Sequence, residues 1–243
     1  MPHRPIRFAA LSSAIVFAAA GAYAQVPAGH PRAQANTLTD AEKATGWKLL
    51  FDGTTLNGWR GYKSQSVPSA WHIANGTLTK DVGTDDIITT DKYANFDLQV
   101  DWKIAPKGNA GIFYRGTEEY DHIYWSGPEY QLLDDKGHVD GKSRLTAAAS
   151  AYAVYASPKG YLHPAGQWNH TRIVVNGDHV EHWLNGHKMV TYTLGSKDWT
   201  ARVDSSKFKD YPNYGKATEG YIGIQGDHDG ALALRNIKIK VLP

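Results

Sequence analysis

The stretch GPEYQLLDD, residues 127 to 135, alternates like a β-strand, yet it sets Glu129, Gln131 and Asp134 among Tyr130, Leu132 and Leu133. A core strand normally keeps carboxylates off its buried face, because desolvating an unpaired one is costly. A second stretch, NAGIFYRG (109–116), repeats the pattern. Strand alternation puts Asn109, Gly111, Phe113 and Arg115 on one face and Ala110, Ile112 and Tyr114 on the other. A glycine inside a strand often marks the close approach of a ligand or another backbone. Glu129 and Gln131 also share a face, and a bulge after Gln131 would bring Asp134 round to it. Two strands would then offer Asn109, Arg115, Glu129, Gln131 and Asp134 to one surface. Two readings stand side by side. One is a solvated outer face with incidental ion pairs, such as Arg115 with Glu129. The other is a concave polar face for a hydroxyl-rich ligand, where amides, carboxylates and a guanidinium supply directional hydrogen bonds and an aromatic ring supplies a plate.

His228 is the third chemical candidate. It follows Gln225 in the loop QGDHDG, between two predicted strands. Loops held by a rigid scaffold are a common place for functional side chains, and turn geometry alone accounts for the sequence equally well. None of the 11 histidines falls in an HExxH or other close ligand set. His179, His182 and His187 share one hairpin, but the strand period separates their faces. The chain has no GxSxG, no cysteine nucleophile, no phosphate-binding glycine loop and no place for a dinucleotide-binding unit.

These residues need a scaffold, and the scaffold reads as strands. NFDLQVDWKI (95–104) places Phe96, Leu98, Val100, Trp102 and Ile104 on one face and polar residues on the other. Asn75-Gly76, Asn176-Gly177 and Asn185-Gly186 are hairpin signals, because Asn-Gly tolerates the positive φ that tight turns require. Residues 196–216 break the pattern and predict a short helix followed by a Tyr/Pro-rich loop. Short strands, 24 glycines and little helix predict one all-β sandwich or barrel.

The N-terminus reads as a targeting segment. Arg4 and Arg7 precede the apolar run FAALSSAIVFAAA, and Ala22-Tyr23-Ala24 fits a cleavage site before Gln25. Residues 1–24 are therefore expected to be a signal peptide, 25–44 a polar leader and 45–243 a single domain, with the mature chain periplasmic or secreted. The apolar run is too short for a membrane span. There is no cysteine for a lipid anchor or a disulfide. The 26 Lys+Arg and 24 Asp+Glu become 24 and 24 once Arg4 and Arg7 are removed. A neutral chain without basic blocks argues against nucleic acid as a partner. The 8 tryptophans and 14 tyrosines suit a core, and they also suit stacking on sugars.

Several segments, in order, resemble one family: LLFDGTTLNGWRG (49–61), NAGIFYRG, GPEYQLLDD, AVYASPKG (153–160), QWNHTRIVVNGDHVEHWLNG (167–186) and GYIGIQGDHDGALALRNIKIK (220–240). The chain is similar to the 3-keto-disaccharide hydrolase domain family over about residues 45–242. Two departures are visible: the family's direct His-Gly pair is here His228 and Gly230 with Asp229 between them, and TAAASAYAVYASP (146–158) has Ala where the family commonly has Gly just before the Tyr strand. The resemblance implies a concanavalin-like, jelly-roll β-sandwich, and substrates already oxidised at C3 by a partner sugar dehydrogenase. It implies a base at C2, a donor at the C3 oxygen and an acid at the glycosidic oxygen. Glu129 and His228 are the acid–base candidates and Arg115 the candidate for the enolate. Asn109, Gln131 and Gln225 would hold hydroxyls, Asp134 would orient a neighbour and Trp125 would stack on the ring. A divalent metal at the enolate oxygen is compatible with these residues, though their spacing does not demand one. Two other classes compete. One is a non-catalytic carbohydrate-binding module. The other is a laminarinase-like glycosidase, whose catalytic strand Glu129, Gln131 and Asp134 follow in spacing but not in residue type.

Overall fold

A computed structural model describes residues 34–243 and Met1. The expected signal peptide and most of the expected leader lie outside the described residues. The compact body runs from Gln34 to Pro243, so it takes in the last part of the segment expected as a leader. Asn36 and Asn236 exchange reciprocal hydrogen bonds: the backbone N–H of each donates to the other's Oδ1, at 2.7 and 2.8 Å. A short helix, α1 (Asp40–Ala44), follows, and Thr39 and Glu42 close a capping box at its start.

Among the described residues the strands are β1 (Trp47–Leu49), β2 (Trp59–Gly61), β3 (His72–Ala74), β4 (Thr77–Lys80), β5 (Ile87–Tyr93), β6 (Phe96–Ile104), β7 (Asn109–Gly116), β8 (Glu129–Leu133), β9 (Asn169–Asn176), β10 (His179–Leu184), β11 (His187–Thr193), β12 (Gly220–Ile224) and β13 (Leu232–Val241). A second helix, α2 (Lys197–Asp204), lies between β11 and β12. The larger sheet has the order β11-β10-β9-β6-β13-β4-β3, with β1 added on β13, and the smaller has β2-β5-β12-β7-β8. Neighbouring strands are antiparallel. The all-β sandwich expected from the sequence is therefore the fold observed.

The alternation in 95–104 places its five apolar side chains as expected, each at most 4 % exposed between the sheets. Burying Phe96, Leu98, Val100 and Ile104 contributes about 1.5–3 kcal/mol for each side chain. Ile112, Tyr130, Leu132, Ile222 and Ile224 meet them from the smaller sheet. At Asn75-Gly76 and Asn185-Gly186 both residues have positive φ, as a two-residue hairpin of this kind requires.

The outer face of the smaller sheet is covered as well. Every residue of β7 and β8 is buried, which removes the solvated-face reading. Ile88, Phe113 and Ile123 form a second apolar cluster there, with Tyr62, Tyr124 and Tyr221 packed against it. The segment 196–216 forms α2, with Ser196 accepting from the Trp199 N–H at 3.1 Å, and then a loop that crosses this face. Tyr211 in that loop stacks on Trp125 at 3.9 Å, and the Gly215 N–H donates to the Ser126 carbonyl at 2.8 Å.

Candidate active site

The register between β7 and β8 decides which side chains share the outer face. Gly111 lies opposite Gln131, Phe113 opposite Glu129 and Asn109 opposite Leu133, without interruption. Paired residues in an antiparallel ladder point to the same side. Asn109, Glu129 and Gln131 therefore open onto one cavity of about 280 Å³, whose wall also carries Trp125, Gln225 and His228. Six of the eight residues expected at the site are thus brought together.

Glu129 is only 4 % exposed. Its carboxyl group folds over Gly111, where a Cβ would come within 2.1 Å of Oε1. The glycine noted in the sequence is there to admit this carboxyl group. Burial pushes the Glu129 carboxyl up to about 8; Lys207 opposes the shift, and Asp227, Asp86 and Asp140 add to it. The shift favours the protonated form of Glu129 at neutral pH.

An amide chain connects the strands to the loop. Gln131 Nε2 donates to Asn109 Oδ1 at 3.1 Å, and Asn109 Nδ2 lies 3.2 Å from His228 Nε2. An amide nitrogen donates, so in this arrangement His228 Nε2 accepts from Asn109. The Asp227 carboxylate lies 3.6 Å from the same nitrogen. The Oε1 atoms of Gln131 and Gln225 are buried and have no hydrogen-bond partner among the described residues. Two unmatched acceptors on a cavity wall suit a ligand that brings hydroxyl donors.

Two expectations are corrected. Arg115 is not at this site. β7 carries one extra residue against β12 between the pairs Phe113–Gly223 and Gly116–Tyr221, and Arg115 has φ 50°. This bulge breaks the alternation that put Arg115 with Asn109. Its guanidinium instead donates to the Ala94 carbonyl, Asn95 Oδ1 and the Gly177 carbonyl at 2.8 to 3.2 Å, tying two turns together. Asp134 also lies off the cavity wall. No bulge follows Gln131, and the carboxylate accepts from the Lys107 N–H at 2.8 Å and the Lys136 N–H at 3.3 Å, closing a turn.

Lys207 supplies the positive charge that was sought in Arg115. It is the one lysine or arginine on the cavity wall among the described residues. Its Nζ lies 4.5 Å from the Tyr152 ring centre, 5.2 Å from Phe208, 5.6 Å from Tyr124 and 5.7 Å from Trp125. Aromatic faces hold an ammonium by charge–quadrupole attraction. Tyr124, Tyr152, His138, Asp140 and Asp227 complete the wall, and Tyr152 donates to Asp140 at 3.1 Å. Sequence reasoning missed these residues. The available signal was the length and aromatic content of the non-strand segment 196–216, since long ordered loops tend to be functional. Among the described residues no group of three or more His, Asp or Glu side chains is placed to hold a metal ion.

A curated relative from Bacteroides thetaiotaomicron, named 3-keto-disaccharide hydrolase, is 35 % identical over 242 residues, covering 86 % of this chain and 83 % of its own. A crystal structure from Parabacteroides distasonis, provisionally named a glycosyl hydrolase, has 35 % identity and a TM-score of 0.81 over 86 % of this chain and all of its own (100 %). Another of the same provisional name and organism has 27 % identity and a TM-score of 0.67, covering 81 % of this chain and 99 % of its own. The family model described as a 3-keto-alpha-glucoside-1,2-lyase-like domain matches residues 46–240. The chain belongs to the 3-keto-alpha-glucoside-1,2-lyase-like domain family.

Proposed function

We propose that the protein cleaves glycosides whose sugar carries a ketone at C3, by elimination across C1–C2 followed by hydration. The observation that carries this reading is that buried Glu129 shares one cavity wall with an ammonium, Lys207, and the imidazole of His228. The name of the 35 % identical relative supports the substrate class.

A C3 ketone acidifies the C2 proton, because the resulting carbanion is an enolate. Once substrate displaces the Asn109 amide from it, His228 Nε2 takes that proton, and the Lys207 ammonium faces the developing C3 oxyanion. Collapse of the enolate expels the C1 oxygen, to which Glu129 delivers its proton. The products of this half are an alcohol and an enone. In the second half the Glu129 carboxylate draws a proton from water as the water oxygen adds at C1, and the His228 imidazolium returns a proton to C2. The sum is hydrolysis, with both groups restored. Gln131 and Gln225 accept from ring hydroxyls, and Trp125, braced by Tyr211, forms a plate beside the ring. The ketone must be installed beforehand by a sugar 3-dehydrogenase.

The test compares a glucoside with the same glucoside oxidised at C3, in buffer made with heavy water. Release from the oxidised form only, with deuterium entering C2, is the expected result. Release from both forms without deuterium at C2 would replace this reading with ordinary glycoside hydrolysis, and binding without release would leave a carbohydrate-binding module. Export is part of the same proposal, supported by the residues around Arg4, Arg7 and Ala22-Tyr23-Ala24. N-terminal sequencing of the secreted or periplasmic protein should begin at Gln25.

A further inference from the structure

Lys80, at the end of β4, is 1 % exposed. A buried ammonium is expensive unless its donors are matched. The Lys80 Nζ donates to the backbone carbonyl of His228, and it lies 3.4 Å from the Gly230 carbonyl and 3.5 Å from the Val82 carbonyl. Three N–H donors thus face three backbone carbonyls, with no side-chain partner at contact distance among the described residues. Burial weakens the ammonium's hold on its proton, and the carboxylates of Asp227, Asp229, Asp86 and Asp81 oppose that.

The segment beyond Lys80 closes on the same loop. The Thr84 N–H donates to the Gly226 carbonyl at 2.9 Å, the Gly83 N–H to Asp229 Oδ1 at 3.0 Å, and the Gly226 N–H to Asp86 Oδ1 at 2.7 Å. A Cβ on Gly226 would come within 2.5 Å of the Asp85 carbonyl, so the two backbones touch. Asp229, the residue inserted between His228 and Gly230, therefore has a definite task in this clasp.

We propose that Lys80 is a positioning residue: its ammonium pins the main chain of the 226–230 loop and thereby fixes where the His228 imidazole stands over C2 of the substrate. The proposal rests on the reading of His228 as the base. Lysine suits the task because a compact ammonium satisfies carbonyls converging from three directions, which a planar guanidinium does not.

The chain contains no cysteine, so Lys80→Cys creates a single thiol. The variant is unfolded, alkylated with 2-bromoethylamine and refolded, which restores an ammonium at nearly the original length. Iodoacetamide gives a neutral control, and wild-type protein passes through the same steps. Unmodified Lys80→Cys should lose about 100-fold in kcat on a 3-keto-glucoside while KM moves by less than about threefold. Amide exchange should accelerate in 226–230 and stay slow in the strands. Aminoethylation should restore both kcat and protection, and the iodoacetamide product neither. The proposal fails if exchange in 226–230 is unchanged in Lys80→Cys, or if the neutral adduct recovers as well as the aminoethylated one. Should wild-type protein turn over no 3-keto-glycoside, the functional reading falls, and the exchange measurement still decides whether Lys80 holds the loop.

Discussion

The Glu129 carboxyl group lies on Gly111 of the neighbouring strand, with Oε1 2.1 Å from where a Cβ would stand. A proton donor buried between two strands thus depends on the absence of a side chain across the ladder. Gly111→Ala must displace Glu129 or spread β7 from β8. We expect a loss of about 1–3 kcal/mol in stability, typical of overpacking. We also expect a fall of about 100-fold in kcat, as for a misplaced catalytic group. Urea unfolding and steady-state kinetics on a 3-keto-glucoside check the two parts, and full activity in this variant would remove Glu129 from the mechanism.

The proton on Glu129 makes stability depend on pH in a particular direction. The carboxyl is raised from its ordinary 4.5 to about 8. Between these values the folded chain binds a proton that the unfolded chain has lost, so stability falls as pH rises through the window and levels off above about 8. Glu129→Gln should remove this contribution and make the variant more stable than wild type on the alkaline side. Denaturant titrations across that range test it, and parallel curves for the two proteins would contradict the assigned protonation.

Activity should fall with increasing pH as Glu129 loses its proton, giving an alkaline limb near pH 8 in kcat/KM. Lys207 holds the Glu129 value down. Lys207→Met should therefore move this limb upward while lowering kcat by about 10²–10³, the size of a lost oxyanion partner. A pH–rate profile of the variant reads both effects. An unmoved limb would mean that the two groups are not coupled.

Arg115 should behave as a structural residue. Arg115→Met leaves the Ala94 and Gly177 carbonyls without their donor, at a cost of about 1–3 kcal/mol. Turnover per folded molecule should stay within about twofold of wild type, since buried structural losses act on the folded population. Thermal unfolding together with active-site-normalised rates separates the two, and a large kcat defect at unchanged stability would return Arg115 to the chemistry.

These contrasts show which parts of the site could be read from the chain. Phe96 to Ile104 alternate without interruption, and all five apolar residues reach the core. Asn109, Glu129 and Gln131 could be paired because β7 and β8 keep register over those positions. Arg115 was misassigned because alternation holds only until a bulge, and the extra residue against β12 has no local signature. The expected bulge was placed in β8 after Gln131, whereas the observed one lies in β7. Lys207 was invisible for another reason. Its place at the cavity follows from tertiary packing, with Tyr211 stacked on Trp125 and the Gly215 N–H bonded to the Ser126 carbonyl, and no period in the sequence encodes such a crossing.

β7 and β8 are buried along their whole lengths, one face against the core and the other beneath the cavity and its aromatic cover. Such strands have no idle positions: almost any change there disturbs either folding or proton transfer. The wall at His138 and Asp140 is under less constraint, because it lies outside the β7–β8 ladder. Divergence among relatives toward new leaving groups should therefore accumulate around His138 and Asp140, while the Asn109, Gly111, Glu129 and Gln131 lattice and Lys207 stay fixed as the shared chassis. Libraries aimed at altered substrate range belong at His138 and Asp140, where variation explores recognition without dismantling the machine.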